Sequence, residues 1–371
     1  MGLLGIAGMV VGGLVMLLAA QSIHLSSVLR WEDKETRGLG YYGKSLADRR
    51  RYRAKLKRHA LFLTPILRLS GATSKMDFRK TSFVYRGVAG PHGSASSDTF
   101  AKAAGYQPRP EDVFVATQMK CGTTWMQHLV YEVVLRGRGT LVETGTAMYA
   151  VAPWIEGLRS VPLDQAAPIG TERPTRIIKT HLPASLCPVS PAAKYIYVAR
   201  HPVSCFASCI DFIGTNVGAM MPAPAAFEEW FTSPDLMWWG TWPDHVKGWW
   251  NRAQSEPNVL FVYFEDMKKD LAAVARQVAT FLNVAPLSES ELAQVVEKCG
   301  FGYMQAHQEM FEMHPPHVLQ TNAELFVRGT SDRHADVPAE TRRRLGAWCV
   351  EQMQGSSFPL LDRYPDLGHP G

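Results

Sequence analysis

The chain has 371 residues, 46% hydrophobic and 20% charged, a globular composition with room for one large or two ordinary domains. Its net charge of +5 is concentrated: residues 30 to 58 carry eleven Lys/Arg against four Asp/Glu, a local +7, which leaves the rest at −2 and argues against nucleic-acid binding by a basic face. Six cysteines with no C-x-x-C pair and no zinc-like His/Cys spacing, Cys205 and Cys209 among them, read as isolated buried thiols in a reducing intracellular setting.

The first element is Leu3 to Ala20, 18 residues without a charge. At 1.5 Å per residue it spans roughly 27 Å, enough for a thin bilayer core. No Lys/Arg precedes the apolar run, which weakens the rival reading as a cleaved signal peptide. The basic block follows the run, so the positive-inside rule predicts a single-pass anchor with the C-terminal side in the cytoplasm. Gly8 and Gly12 form a small-x-x-x-small pair of the kind a glycine-rich span also yields by chance. We divide the chain into an anchor helix (1–25), a basic juxtamembrane segment (26–77) and a catalytic domain (78–371).

Ser45 to Leu69 predicts a basic amphipathic helix with a break near Pro65. Leu46, Tyr52, Leu56 and Leu63 fall on one side, and Arg49, Arg50, Arg53 and Lys57 on the other, a pattern expected to meet anionic lipid. From about Phe78 the pattern alternates between strands and helices. Short apolar runs at Val113–Ala116, Arg176–Thr180, Lys194–Ala199 and Val259–Phe264 are predicted strands. Helical periodicity follows the first after Thr124, the third to about Phe212 and the fourth to about Leu282. This is an α/β protein with a central parallel sheet flanked by helices, preceded by an N-terminal apolar helix. Ligands of such sheets bind at the carboxyl ends of the strands, and Lys120, His181 and Arg200 each sit just past a predicted strand.

Between the first strand and its helix lies Thr117-Gln118-Met119-Lys120-Cys121-Gly122-Thr123-Thr124. A strand turning sharply into a helix aims backbone N–H groups and the positive end of the helix dipole at whatever fills the turn, which favours an anion. Lys120 adds charge, Thr123 and Thr124 add hydroxyls, and Gly122 allows close approach. The Walker A pattern G-x-x-x-x-G-K-[ST] is absent, because the lysine precedes the glycine.

Three segments together resemble the sulfotransferase superfamily that uses 3′-phosphoadenosine 5′-phosphosulfate (PAPS), with its P-loop-like cytosolic-type fold. TQMKCGTTW (117–125) is similar to the 5′-phosphosulfate loop, usually TYPKSGTTW. KTHLP (179–183) resembles the segment with the catalytic histidine, and YVARHPVSCFAS (197–208) the 3′-phosphate segment. The resemblance covers roughly residues 80 to 355. It implies that Lys120 holds the 5′-phosphate and bridging oxygen, with Cys121, Gly122, Thr123 and Thr124 completing the cradle. Arg200 and Ser208 are implied to bind the 3′-phosphate, closed over by Arg328 and Gly329. Trp125 and Phe301 would flank the adenine, and Phe264 stands at a nucleotide-contacting position. His181 is the implied general base for the acceptor hydroxyl, with Lys179 assisting at the transferring group. No metal is expected.

The pattern also departs from the family. Gln118-Met119 replaces Tyr-Pro, Cys121 a serine, Phe264 a tyrosine and Cys299-Gly300 Thr-Ser. The final motif reads Arg328-Gly329-Thr330-Ser331-Asp332-Arg333 where relatives carry Arg-Lys-Gly and then Gly-Asp-Trp. Residues 219 to 250 hold six of the ten tryptophans. Trp242, Trp249 and Trp250 are predicted on a core helix, and the stretch before them as a lid over an apolar pocket. With the anchor, this gives a lipophilic alcohol or phenol as the expected acceptor. Two alternatives stand beside this: a P-loop small-molecule kinase, which lacks its Walker loop, and a non-catalytic membrane-associated binding protein with this fold.

Overall fold

The computed structural model describes residues 3–171, 173–312, 315–320 and 333–368. Arg328 and Gly329 lie outside the described residues.

Two long helices open the chain, α1, Leu3–Thr36, and α2, Leu46–Thr73, with one turn of helix at Leu39–Tyr42 between them. A hairpin follows, β1 (Ser82–Tyr85) against β2 (Val88–Pro91). Among the described residues, four parallel strands make the central sheet: β3 (Asp112–Ala116), β4 (Arg176–Thr180), β5 (Lys194–Ala199) and β6 (Val259–Tyr263), in spatial order β4-β3-β5-β6. Val115 lies opposite Lys179 and Ile196, which sets the register of β3 against β4 and β5. Alternate residues feed two cores. Phe114, Ile178, Tyr195 and Tyr197 pack on one face, and Val113, Val115, Ile177, Ile196 and Val198 on the other. A strand buried on both faces must be apolar throughout, which is why these runs were legible.

The helices that carry the site are α3 (Thr123–Val134), α4 (Pro202–Val217), α5 (Pro224–Thr232), α6 (Trp242–Ser255), α7 (Phe264–Lys269), α8 (Leu271–Phe281) and α9 (Phe301–Ala306). Trp242 and Trp249 on α6 are fully buried and Trp250 partly so.

Several expectations change. The helix 46–73 runs through Pro65 without a break. Pro65 and Leu61 are both exposed, so the carbonyl left without its donor at Leu61 can be solvated. Arg49 is 1% exposed rather than part of a solvated basic face. It shares the buried stripe of Tyr52, Leu56 and Leu63, and its Nη2 donates to the Gly145 carbonyl at 2.7 Å. Arg50 and Arg53 pair with Glu309 and Glu312 of the body. β6 ends one residue early, because Phe264 starts α7, and Asp270 caps α8 as a separate helix. The α5 part of the expected lid is core: Phe227, Trp230 and Phe231 are buried, with Trp230 stacked 4.9 Å from Phe78, while Trp238 and Trp239 of the same stretch line the cavity. Large flat rings bury too much apolar surface to be left on a mobile flap.

The α1–α2 pair joins the core of one sheet face through Val28, Tyr52, Leu56 and Leu63. At Gly71, α2 comes so close to Ala219 that an added Cβ would lie 2.3 Å from the alanine Cβ.

Candidate active site

The cradle is built at the carboxyl end of β3. Lys120 (φ +65°) and Gly122 (φ +100°) both adopt left-handed backbone, so the chain doubles back before α3 begins at Thr123. A Cβ at position 122 would lie 2.8 Å from the Phe264 ring, so the glycine is required twice over. Gln118 is buried, and its Nε2 donates to the Trp238 carbonyl at 3.1 Å, tying the loop to the 238–240 segment. Thr123 Oγ1 lies 2.6 Å from Thr117 Oγ1, and Thr124 Oγ1 3.2 Å from the Tyr149 hydroxyl. The Cys121 thiol turns away from the cradle and packs 3.7 Å from Cys205 Sγ, so only its backbone is offered to a ligand.

Arg200 follows β5 and joins the two anion sites expected from sequence. Its Nη1 donates to the Lys120 carbonyl and to Ser208 Oγ, each at 2.9 Å, and its guanidinium sits 4.5 Å from the Phe264 ring centroid. Arg200 Nε is buried without a hydrogen-bond partner among the described residues. A buried guanidinium donor without an acceptor is costly, and an anion with several oxygens would satisfy it. Trp125 meets Phe264 edge-on at 5.4 Å and donates from Nε1 to the Cys299 carbonyl at 2.8 Å. Trp125, Phe264 and Phe301 line one cavity, so the three aromatic residues are brought together.

β4 delivers Lys179 and His181 to the same cavity. His181 Nδ1 lies 2.9 Å from the Thr117 carbonyl, which accepts a hydrogen bond from Nδ1–H and leaves Nε2 as the basic nitrogen. Burial, and then the charge of Lys179, hold the imidazole well below its ordinary value, so it rests neutral. Burial lowers the Lys179 amine as well, with Glu156 partly opposing. Lys179 Nζ rests 3.8 Å from the Trp154 ring centroid, a cation–π contact in a dry setting. Burial also lowers Lys120, which makes its ammonium a readier proton donor.

Sequence reasoning missed Glu156. It is fully buried, and its Oε1 accepts the His181 backbone N–H at 2.6 Å. Residues 153–156 reach this place by pairing along the edge of β4: Lys179 N donates to the Pro153 carbonyl at 2.8 Å, and Ile155 N to the Lys179 carbonyl at 3.0 Å. A single bridge of this kind has no period to detect. Trp154 and Trp239 flank the His181 ring at 5.4 and 5.0 Å; Trp239 belongs to the aromatic stretch expected over the acceptor pocket, whereas no sequence signal marks Trp154.

The cavity measures about 1380 Å³. Nine Lys/Arg line it against Asp211, Glu309 and Glu312, so it is strongly positive while the body of the chain is not. Arg333 is among them, paired with Asp211 and, at 2.9 Å, with Asp336.

Residues 110–357 match the family model described as the sulfotransferase domain. The chain belongs to the sulfotransferase family. It is 31% identical over 224 residues to sulfotransferase 1C2 of rabbit (Oryctolagus cuniculus), covering 58% of this chain and 72% of that one. Among solved structures it resembles mouse sulfotransferase SULT7A1 complexed with PAP, with TM-score 0.57 and 23% identity over 77% of this chain and 99% of that one. It also resembles retinol dehydratase in complex with androsterone and PAP, with TM-score 0.57 and 22% identity over 77% and 96% of the two chains. These structures establish the sulfotransferase fold. The family match begins at residue 110, so α1, α2 and the hairpin precede it.

Proposed function

We propose that this sulfotransferase moves a sulfuryl group from PAPS to the hydroxyl of a lipophilic alcohol or phenol, with His181 as general base. The observation that carries the reading is the hydrogen bond from His181 Nδ1 to the Thr117 carbonyl. It fixes the Nδ1–H tautomer of a ring that burial keeps neutral, in a residue lining the cavity shared with Lys120, Arg200 and Ser208.

The donor set fits a nucleotide with two anionic ends. Lys120 and the Gly122–Thr124 turn suit the 5′ side, and Arg200 with Ser208 suits the 3′-phosphate, where the orphaned Nε awaits an oxygen. Arg328 and Gly329 are proposed to close this end, and Trp125, Phe264 and Phe301 to hold the base. PAPS, when bound, supplies the activated sulfuryl group. The chain's own residues do the rest: His181 Nε2 takes the acceptor proton as the hydroxyl oxygen attacks sulfur. Lys120 Nζ offers its proton to the oxygen that leaves, and Lys179 steadies charge on the transferring group.

α1 is long and apolar enough to cross a membrane and is 6% buried over that stretch. We propose that it anchors the enzyme, with the catalytic domain on the cytoplasmic side. Pro202–Met220 passes the same length test but is 44% buried, with α4 packed in the core.

The test is the melting temperature of the full chain with PAP, without magnesium. A rise with PAP and none with ATP supports the reading, and no shift with PAP removes it. Incubating the enzyme and PAPS with membrane extracts, and searching by mass spectrometry for the gain of one sulfuryl group, then identifies the acceptor.

A further inference from the structure

α2 has two working faces. Arg49, Tyr52, Leu56 and Leu63 are buried against the body, while Lys57, Leu61, Thr64 and Arg68, spaced every three or four residues, line the catalytic cavity. The strip from Lys57 to Arg68 is about 16 Å long at 1.5 Å per residue. Asp211, Thr215 and Asn216, toward the end of α4, line the same cavity. An element that precedes the family domain therefore forms one wall of the site.

α1 fixes where that wall lies relative to a membrane. It runs antiparallel to α2 through three matched contacts. Gln21 Nε2 donates to the Phe62 carbonyl at 2.6 Å, the His24 and His59 rings meet at 3.0 Å, and Trp31 stacks on Tyr52 at 4.9 Å. Gln21 is buried, but Met9 to Leu17 are exposed, so α1 leaves the body at the level of Phe62. Around that point the surface is apolar: Ile23 is 72% exposed, Leu61 75%, Phe62 48% and Leu69 46%. A patch of this kind continuous with an apolar helix calls for lipid rather than water. Leu61 belongs both to this patch and to the cavity wall.

We propose that the catalytic cavity opens sideways into the lipid headgroup region through a mouth formed by Leu61, Thr64 and Arg68. The acceptor is a membrane-resident amphiphile that reaches His181 along α2 without crossing water. Arg68 marks the headgroup level, and the apolar part of the acceptor follows Ala60 and Leu61. This rests on the proposed sulfotransfer and on α1 as an anchor.

The six native thiols are all buried, so a cysteine placed on the surface takes a fluorophore selectively. In the full chain, Leu61→Cys and Leu69→Cys are labelled, with Ala192→Cys as the control just before β5, at the end of the sheet opposite the site. Vesicles of phosphatidylcholine and phosphatidylglycerol carrying a quencher at headgroup depth should quench labels 61 and 69 and spare 192. Vesicle binding without quenching at 61 overturns the mouth and leaves the sulfotransferase reading standing. Failure to bind vesicles overturns the anchor and the mouth together. Thr64→Trp, which fills the mouth, should lose most transfer from PAPS to hexadecanol in the vesicles while PAP raises its melting temperature as in the parent. Transfer equal to the parent's would also overturn the route.

Discussion

His181 and Thr117 meet twice: the imidazole Nδ1 is 2.9 Å from the threonine carbonyl and 3.3 Å from its hydroxyl. The same hydroxyl lies 2.6 Å from Thr123 Oγ1 at the start of α3. The proposed base and the anion cradle are therefore both tied to one residue, at the end of β3. His181→Ala removes the proposed base and leaves the cradle, so turnover should fall by about 10²–10⁴. PAP should still raise the melting temperature. Loss of that shift together with turnover would make His181 a structural residue instead.

Arg200 holds the Lys120 carbonyl and Ser208 Oγ through one nitrogen while its Cζ sits over the Phe264 ring, 4.5 Å from the centroid. A lysine is a point charge and cannot stack and fork in this way. Arg200→Lys should weaken PAP binding about tenfold or more, the worth of a charge-assisted bond of roughly 1.5–3 kcal/mol. Calorimetric titration reads this directly. Unchanged affinity would remove Arg200 from the nucleotide site.

Glu156 supports His181 from behind, taking its backbone N–H at 2.6 Å. Burial raises its carboxyl, with the His181 N–H and the Lys179 charge opposing. Glu156→Gln keeps an acceptor and should stay within about 1 kcal/mol of the parent, whereas Glu156→Ala orphans a buried donor and should cost about 1–3 kcal/mol. Glu156→Gln also removes the opposite charge that sustains the Lys179 ammonium. Its kcat should therefore fall with little change in the KM for PAPS. Equal urea midpoints for the two variants would contradict the supporting role.

What the sequence made legible follows from how each signal arises. β3, β4 and β5 are buried on both faces, so their apolar runs are unbroken and their ends nearly right. The sequence pattern extends β6 by one residue because Phe264 is as apolar as a strand residue, although it opens a helix. Lys120, His181, Arg200 and Ser208 converge because a parallel sheet sends the turns after its strands to one edge. Arg49 was misplaced because periodicity assigns a charge to the wet side, whereas the body offers it a carbonyl. Glu156 and the α2 wall depend on single long-range contacts that leave no period in the chain.

His128 provides a pH test separate from the chemistry. On α3 it is buried, stacked near Tyr131 and edge-on to Phe311, with Nε2 3.2 Å from the Lys298 carbonyl. Burial pushes its imidazole down to about 3. The unfolded chain binds a proton there below about pH 6.5, while the folded chain does not until about pH 3, so the stability this residue permits at neutral pH is lost as pH falls through that window. The slope is about 1.4 kcal/mol per pH unit, so about 1.4 kcal/mol is gone near pH 5.5. His245, pushed to about 4, has the same sign, and Glu32, raised to about 7, has the opposite one. Both remain in His128→Gln and cancel in the comparison. Between about pH 7.5 and 5.5 the parent should therefore lose about 1.4 kcal/mol more than His128→Gln by urea unfolding in detergent. Equal losses in the two proteins would mean that the imidazole is not held neutral.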